Sequence, residues 1–106
     1  MIKAMNFIES FFIKRIYFPG EDSNTITELI SVTKEVVHNV NGVKVVTPEI
    51  LSSCICDINA EDLKEKGLDP LEVPDNKKFI SREQAMKLTD LVEDQDSFHK
   101  AATDLF

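Results

Sequence analysis

The stretch Glu35-Val36-Val37-His38-Asn39-Val40-Asn41-Gly42-Val43-Lys44-Val45-Val46 supports two readings, and the choice between them sets the fold. Read as a hairpin, two valine-rich runs flank Asn41-Gly42, the residue pair that favours a type I′ turn. Read as a helix end, Asn41-Gly42 supplies a left-handed cap and the chain continues extended over residues 43–46. The residues upstream tip the expectation toward the helix. Thr25 followed by Glu28 spells a capping box, with Asp22, Ser23 and Asn24 as further cap residues. Ile26, Leu29, Ile30, Thr33, Val36, Val37 and Val40 then fall on one helical face. The sequence therefore predicts a helix to about His38, with a hairpin over 36–46 as the rival. Heavy β-branching in this segment is the feature that favours the rival.

Further upstream, Phe7, Ile8, Phe11, Phe12 and Tyr17 recur at helical spacing, and Pro19-Gly20 stops the pattern. This predicts an amphipathic helix from about Lys3 to Tyr17. Downstream, Thr47-Pro48-Glu49 reads as a helix start, with Pro in the first turn. That helix would carry Ile50, Leu51, Cys54, Ile55 and Ile58. Asn59 caps a further turn over 60–66, which Gly67 closes. Residues 68–78, holding Pro70 and Pro74, read as a surface loop. Ser81 with Gln84 is a second capping box, opening a helix broken at Asp94–Asp96. Phe98, Ala101, Ala102, Leu105 and Phe106 form a last short helix. The expected fold is mainly α: one compact domain over 1–106, with about five helices, becoming α+β if the hairpin near 36–46 forms.

The chain has 106 residues, 12 basic and 19 acidic, for a formal net charge of −7. The first 53 residues carry a net −1 and the last 53 a net −6. Such a balance argues against direct nucleic-acid binding, which needs a basic face to displace counterions. No stretch reaches the ~18–20 apolar residues of a membrane span. Glu9, Lys14 and Arg15 interrupt the apolar N-terminal segment, which therefore does not read as a signal peptide. The two cysteines, Cys54 and Cys56, are too close in sequence for an unstrained disulfide. Two free thiols without a leader suit a cytoplasmic protein. Size and composition match small bacterial and phage accessory proteins.

No spacing supports catalysis. A Gly-x-Ser-x-Gly elbow and a Gly-rich phosphate loop are both missing, and the chain has only 3 glycines. Cys54, Cys56, His38 and His99 are metal-ligand types. On a helix, residues two apart diverge by roughly 200° and cannot share an ion. The metal reading therefore requires an extended 50–58 segment, and the helical expectation gives no metal and no cofactor. Residues 75–83 resemble a calcium loop, but Val73 and Gln84 stand where carboxylates are needed.

Gly20-Glu21-Asp22-Ser23, followed by Glu28-Leu29, resembles the prosthetic-group site of acyl and peptidyl carrier proteins. Gly42-Val43-Lys44-Val45 and Pro48-Glu49-Ile50-Leu51 extend the resemblance over about residues 20–66. It implies a phosphopantetheine arm on Ser23 and an acidic helix docking on basic enzymes. The same residues serve equally as a turn feeding a helix cap.

The leading expectation is a non-enzymatic acidic adaptor, inhibitor or regulator that occupies a protein surface, including that of a basic nucleic-acid-binding protein. Glu61, Asp62, Glu65, Asp90, Glu93, Asp94 and Asp96 would steer the partner, with Phe11 and Phe12 as apolar anchors. The alternative is a carrier-like protein modified on Ser23. Phenylalanines near both chain ends also leave apolar area that a second copy of the chain would cover.

Overall fold

A computed structural model describes residues 7–22, 24–67, 69 and 76–106. Its elements run β1 (Phe7–Pro19), β2 (Thr25–Val40), β3 (Val43–Asn59), α1 (Ala60–Glu65), β4 (Asn76–Ile80), α2 (Arg82–Asp90) and α3 (Gln95–Thr103). The strands form one antiparallel sheet in the order β3-β2-β1-β4. This overturns the expected bundle of about five helices. The fold is mixed and strand-dominant, with a four-stranded sheet and three helices among the described residues.

Three helix expectations fail for physical reasons. In β2, nine of sixteen residues are β-branched, so their stiff side chains favour a pleated surface. β1 lies between β2 and β4 and is apolar on both faces, and such a run satisfies helical and strand spacing equally. Pro48 opens no helix. It lies in β3, an edge strand, where a missing N–H costs no ladder bond on the open side.

The hairpin reading holds, and it runs the full length of β2 and β3. Asn41 (φ 51°) and Gly42 (φ 78°) both adopt the left-handed conformation of a type I′ turn. Asp22, Asn24 and Thr25, expected to cap a helix, close the β1–β2 hairpin instead. Asp22 Oδ1 accepts from the Asn24 N–H at 2.9 Å and from the Thr25 hydroxyl at 2.8 Å. The Gly20 N–H donates to the Thr25 carbonyl at 2.9 Å.

Local helix signals after residue 58 are borne out. The Asn59 side chain accepts from the Glu61 N–H and caps α1. Ser81 and Gln84 form a reciprocal capping box at α2. Asp94 caps α3. β4 begins inside the stretch expected to be loop, at Asn76, and runs on to Ile80.

The helices pack on one face of the sheet. Phe11, Ile13, Ile30, Val32 and Cys54 meet Ala85, Leu88, Phe98 and Ala102 in the main core. A smaller cluster joins Ile26 to Ala60 and Leu63 of α1, flanked by Tyr17 and Ile58. Among the described residues, no helix is long and apolar enough to cross a membrane.

Candidate functional site

β3 carries one extra residue where its register shifts opposite Val32/Thr33. Past that bulge, Glu28 of β2 stands directly opposite Cys56 of β3. On its other side Glu28 stands opposite Tyr17 of β1. Tyr17, Glu28 and Cys56 therefore form one row across three adjacent strands. Side chains opposite each other on one sheet face approach within about 5 Å at Cβ. α3 lies over this row and lowers His99 onto it.

Glu28 is the centre of the group, its side chain only 4 % exposed. Its Oε1 lies 2.6 Å from His99 Nε2 and accepts a hydrogen bond from Cys56 Sγ at 3.4 Å. A buried carboxyl group without partners would be costly, and these contacts supply them. Burial, and then hydrogen bonding to Glu28, push the Tyr17 hydroxyl well above the usual tyrosine range. Burial, and then the charge of Glu28, push the Cys56 thiol up to about 12. Cys54, one pleat period away in the main core, is also raised, mainly by burial. Arg15 is held nearby, its guanidinium 5.5 Å from the Tyr17 ring and 4.4 Å from the Phe106 ring.

This is not the geometry of an activated nucleophile. The Cys56 thiol donates to Glu28, and its raised pKa leaves little thiolate at neutral pH. The arrangement does bring an imidazole nitrogen, a thiol sulfur and a carboxylate oxygen within 4.8 Å of one another. Expecting no metal rested on a helical 50–58 segment. That segment is strand, and Cys54 and Cys56 share its inner face. Of the four metal-ligand candidates in the sequence, Cys56 and His99 come together; Cys54 and His38 are not in the group. Glu28, read as half of a capping box, and Tyr17, read as part of a helix, were missed as site residues.

The expected steering residues fall on two separate elements. Glu61, Asp62 and Glu65 are exposed on α1. Asp90, Glu93, Asp94 and Asp96 are exposed around the α2–α3 corner. Asp94 also has a structural task there, accepting from the Ser97 hydroxyl at 2.8 Å. Phe11 and Phe12 do not serve as exposed anchors, since both are buried. Phe11 lies in the main core. Phe12 points to the opposite face, packed edge-on against Phe79 with the Lys77 ammonium 4.0 Å from its ring centre. Ser23 lies outside the described residues.

That opposite face is the second feature of the site region. Ile8, Phe18, Val46, Ile50, Ile55 and Phe79 are exposed and share it by strand register, and no described helix covers it. At the far end of the β2–β3 hairpin Val40, Val43 and Val45 are also exposed, on the other side of the sheet by register. Comparison with protein-family models, with curated proteins and with solved structures found no match.

Proposed function

We propose that this chain is a non-enzymatic protein-binding module that occupies a partner surface with the open face of its sheet. One observation carries the reading: Ile8, Ile50, Ile55 and Phe79, each at least 65 % exposed, lie on a face that no described helix covers. Antiparallel sheets tolerate one solvated face, but that face is then normally polar. Large apolar side chains gathered there suit a contact surface. The hot-spot role expected of Phe11 and Phe12 passes to Phe79 and Ile55.

The charge of −7 selects the partner class. An apolar patch on a strongly acidic chain favours a partner whose own apolar patch is rimmed by Lys and Arg. Glu61, Asp62, Glu65, Asp90, Glu93, Asp94 and Asp96 raise the rate of encounter with such a partner without needing to lie at the contact.

The test is native mass spectrometry of the tagged protein recovered from its host lysate, beside the variant Ile55→Asp/Phe79→Asp. The reading expects a heterologous chain with the wild type and its loss from the variant, with circular dichroism unchanged. A wild-type mass that is only the bare chain, or a homo-oligomer with no other protein, overturns it. Binding by the captured partner is expected to weaken as salt rises.

A further inference from the structure

We infer that Glu28, Cys56 and His99 form a binding site for one divalent metal ion of the Zn2+ type. The inference stands on the helix-covered face of the sheet and is independent of the open-face reading above.

The donor set points to the ion. One imidazole nitrogen, one thiolate and one carboxylate are the three ligand types that a borderline-soft ion accepts together. Hard ions such as Ca2+ and Mg2+ take oxygen and would leave Cys56 and His99 unused. The spacing is close to what such an ion requires. Bonds of ~2.0–2.3 Å in a tetrahedron put ligand atoms about 3.3–3.7 Å apart. Cys56 Sγ and Glu28 Oε1 are already 3.4 Å apart. His99 Nε2 and Glu28 Oε1, now hydrogen-bonded at 2.6 Å, need to separate by about 1 Å. All three donor atoms lie within 4.8 Å of one another, so rotamer adjustment suffices.

The supports are rigid and the path is open. Glu28 and Cys56 are paired within the β2–β3 ladder, and His99 projects from α3, whose neighbour Phe98 is fully buried in the core. Metal sites built on strands and helices hold their ligands more closely than loop sites do. The His99 side chain is 36 % exposed, so an ion can reach Glu28 from the solvent side. Glu28 pairs with His99, and among the described residues no lysine ammonium or arginine guanidinium forms an ion pair with its carboxylate. On binding, the Cys56 thiol proton leaves to buffer and the sulfur bonds as thiolate. His99 bonds through Nε2 with its ring proton on Nδ1, and Glu28 bonds through a carboxylate oxygen. Water fills the fourth position.

The experiment titrates the metal-free full chain with Co2+ and Zn2+, reading cobalt absorbance and calorimetric stoichiometry. The expected result is one ion per chain and a near-ultraviolet thiolate-to-cobalt charge-transfer band, lost on competition with Zn2+. His99→Gln, at a half-exposed position, should keep the fold, as checked by circular dichroism. It should weaken Zn2+ at least ~100-fold, the upper end of what removing even an outer partner costs. Cys56→Ser should abolish the charge-transfer band, and Cys54→Ser should keep it. Absence of binding at micromolar Zn2+ overturns the assignment, as does a band that survives Cys56→Ser or affinity unchanged in His99→Gln.

Discussion

Glu28 in the second strand and His99 in the last helix are 71 residues apart in sequence and 2.6 Å apart in space. This contact ties the C-terminal helix to the middle of the sheet at a point where the carboxyl group is almost fully buried. Glu28 also accepts from Cys56, so one side chain joins three elements. Glu28→Ala would strand Cys56 and leave His99 without its partner. Cys56 is half-buried and His99 partly exposed, so the loss is that of two hydrogen bonds, about 1–3 kcal/mol in total by urea unfolding. Glu28→Gln keeps the shape and an acceptor oxygen and should lose less. Equal stability of wild type and Glu28→Ala would show that the network contributes nothing net.

Cys56 should be a slow thiol. Its pKa, pushed up to about 12 by burial and by Glu28, leaves far less thiolate at pH 8 than a free cysteine has. Alkylation by iodoacetamide in the native, metal-free protein should be slower than for an unfolded control by about a hundredfold or more. The same shift predicts alkaline sensitivity. Cys56 and Tyr17 both hold their protons more tightly when folded. Their contribution is complete below the unfolded pKa values and falls as pH rises above ~8.5–10 toward the folded values. Denaturant midpoints measured from pH 7 to 10.5 should decline, and should decline less in Cys56→Ala.

Asp94 makes the opposite prediction at low pH. The Ser97 hydroxyl, and then its backbone N–H, hold the Asp94 carboxyl below the ordinary aspartate range. A lowered folded pKa adds stability above the unfolded value, and this is lost as pH falls through the folded value. Asp94→Asn can still cap the helix but cannot titrate. Its stability relative to wild type should therefore improve on acidification from pH 5 to pH 3. A constant difference across that range would remove Asp94 from the acid response.

Two glycines should respond differently to alanine. A Cβ at Gly20 would lie 2.7 Å from the Thr25 carbonyl oxygen, a backbone atom across the hairpin. The Gly20–Thr25 hydrogen bond that closes β1 to β2 must shift to admit it. At Gly42 nothing lies within 4 Å, and the cost is the positive φ of 78° alone. Gly42→Ala should lose about 1 kcal/mol and Gly20→Ala more, as judged by thermal unfolding.

Core and open face should also separate cleanly. Phe98 is fully buried between sheet and helices, so Phe98→Ala should cost about 3–5 kcal/mol. Ile55 is 65 % exposed, and Ile55→Thr should stay within about 0.5 kcal/mol. If Ile55→Thr destabilises the isolated chain as a core change would, the open face belongs to the fold.

The sequence alone determined the local devices. Asn59 and the Ser81–Gln84 box cap helices where they were expected, because a cap needs only its own side chain and the next few N–H groups. The Asn41-Gly42 turn was legible as the rival to a helix cap, since few residue pairs accept positive φ twice. The fate of residues 7–59 was not local. Their apolar runs suit a helix or a strand, and pairing between distant segments chose the strand. The site was hidden more deeply still. Counting back along the hairpin from Val40 and Val43 sets Glu28 opposite Ile55 and turns both cysteines to the open face. The extra residue in β3 near Leu51 shifts the pairing by one, which flips every later side chain. Only then does Cys56 meet Glu28, under a histidine delivered by a helix from the far end of the chain.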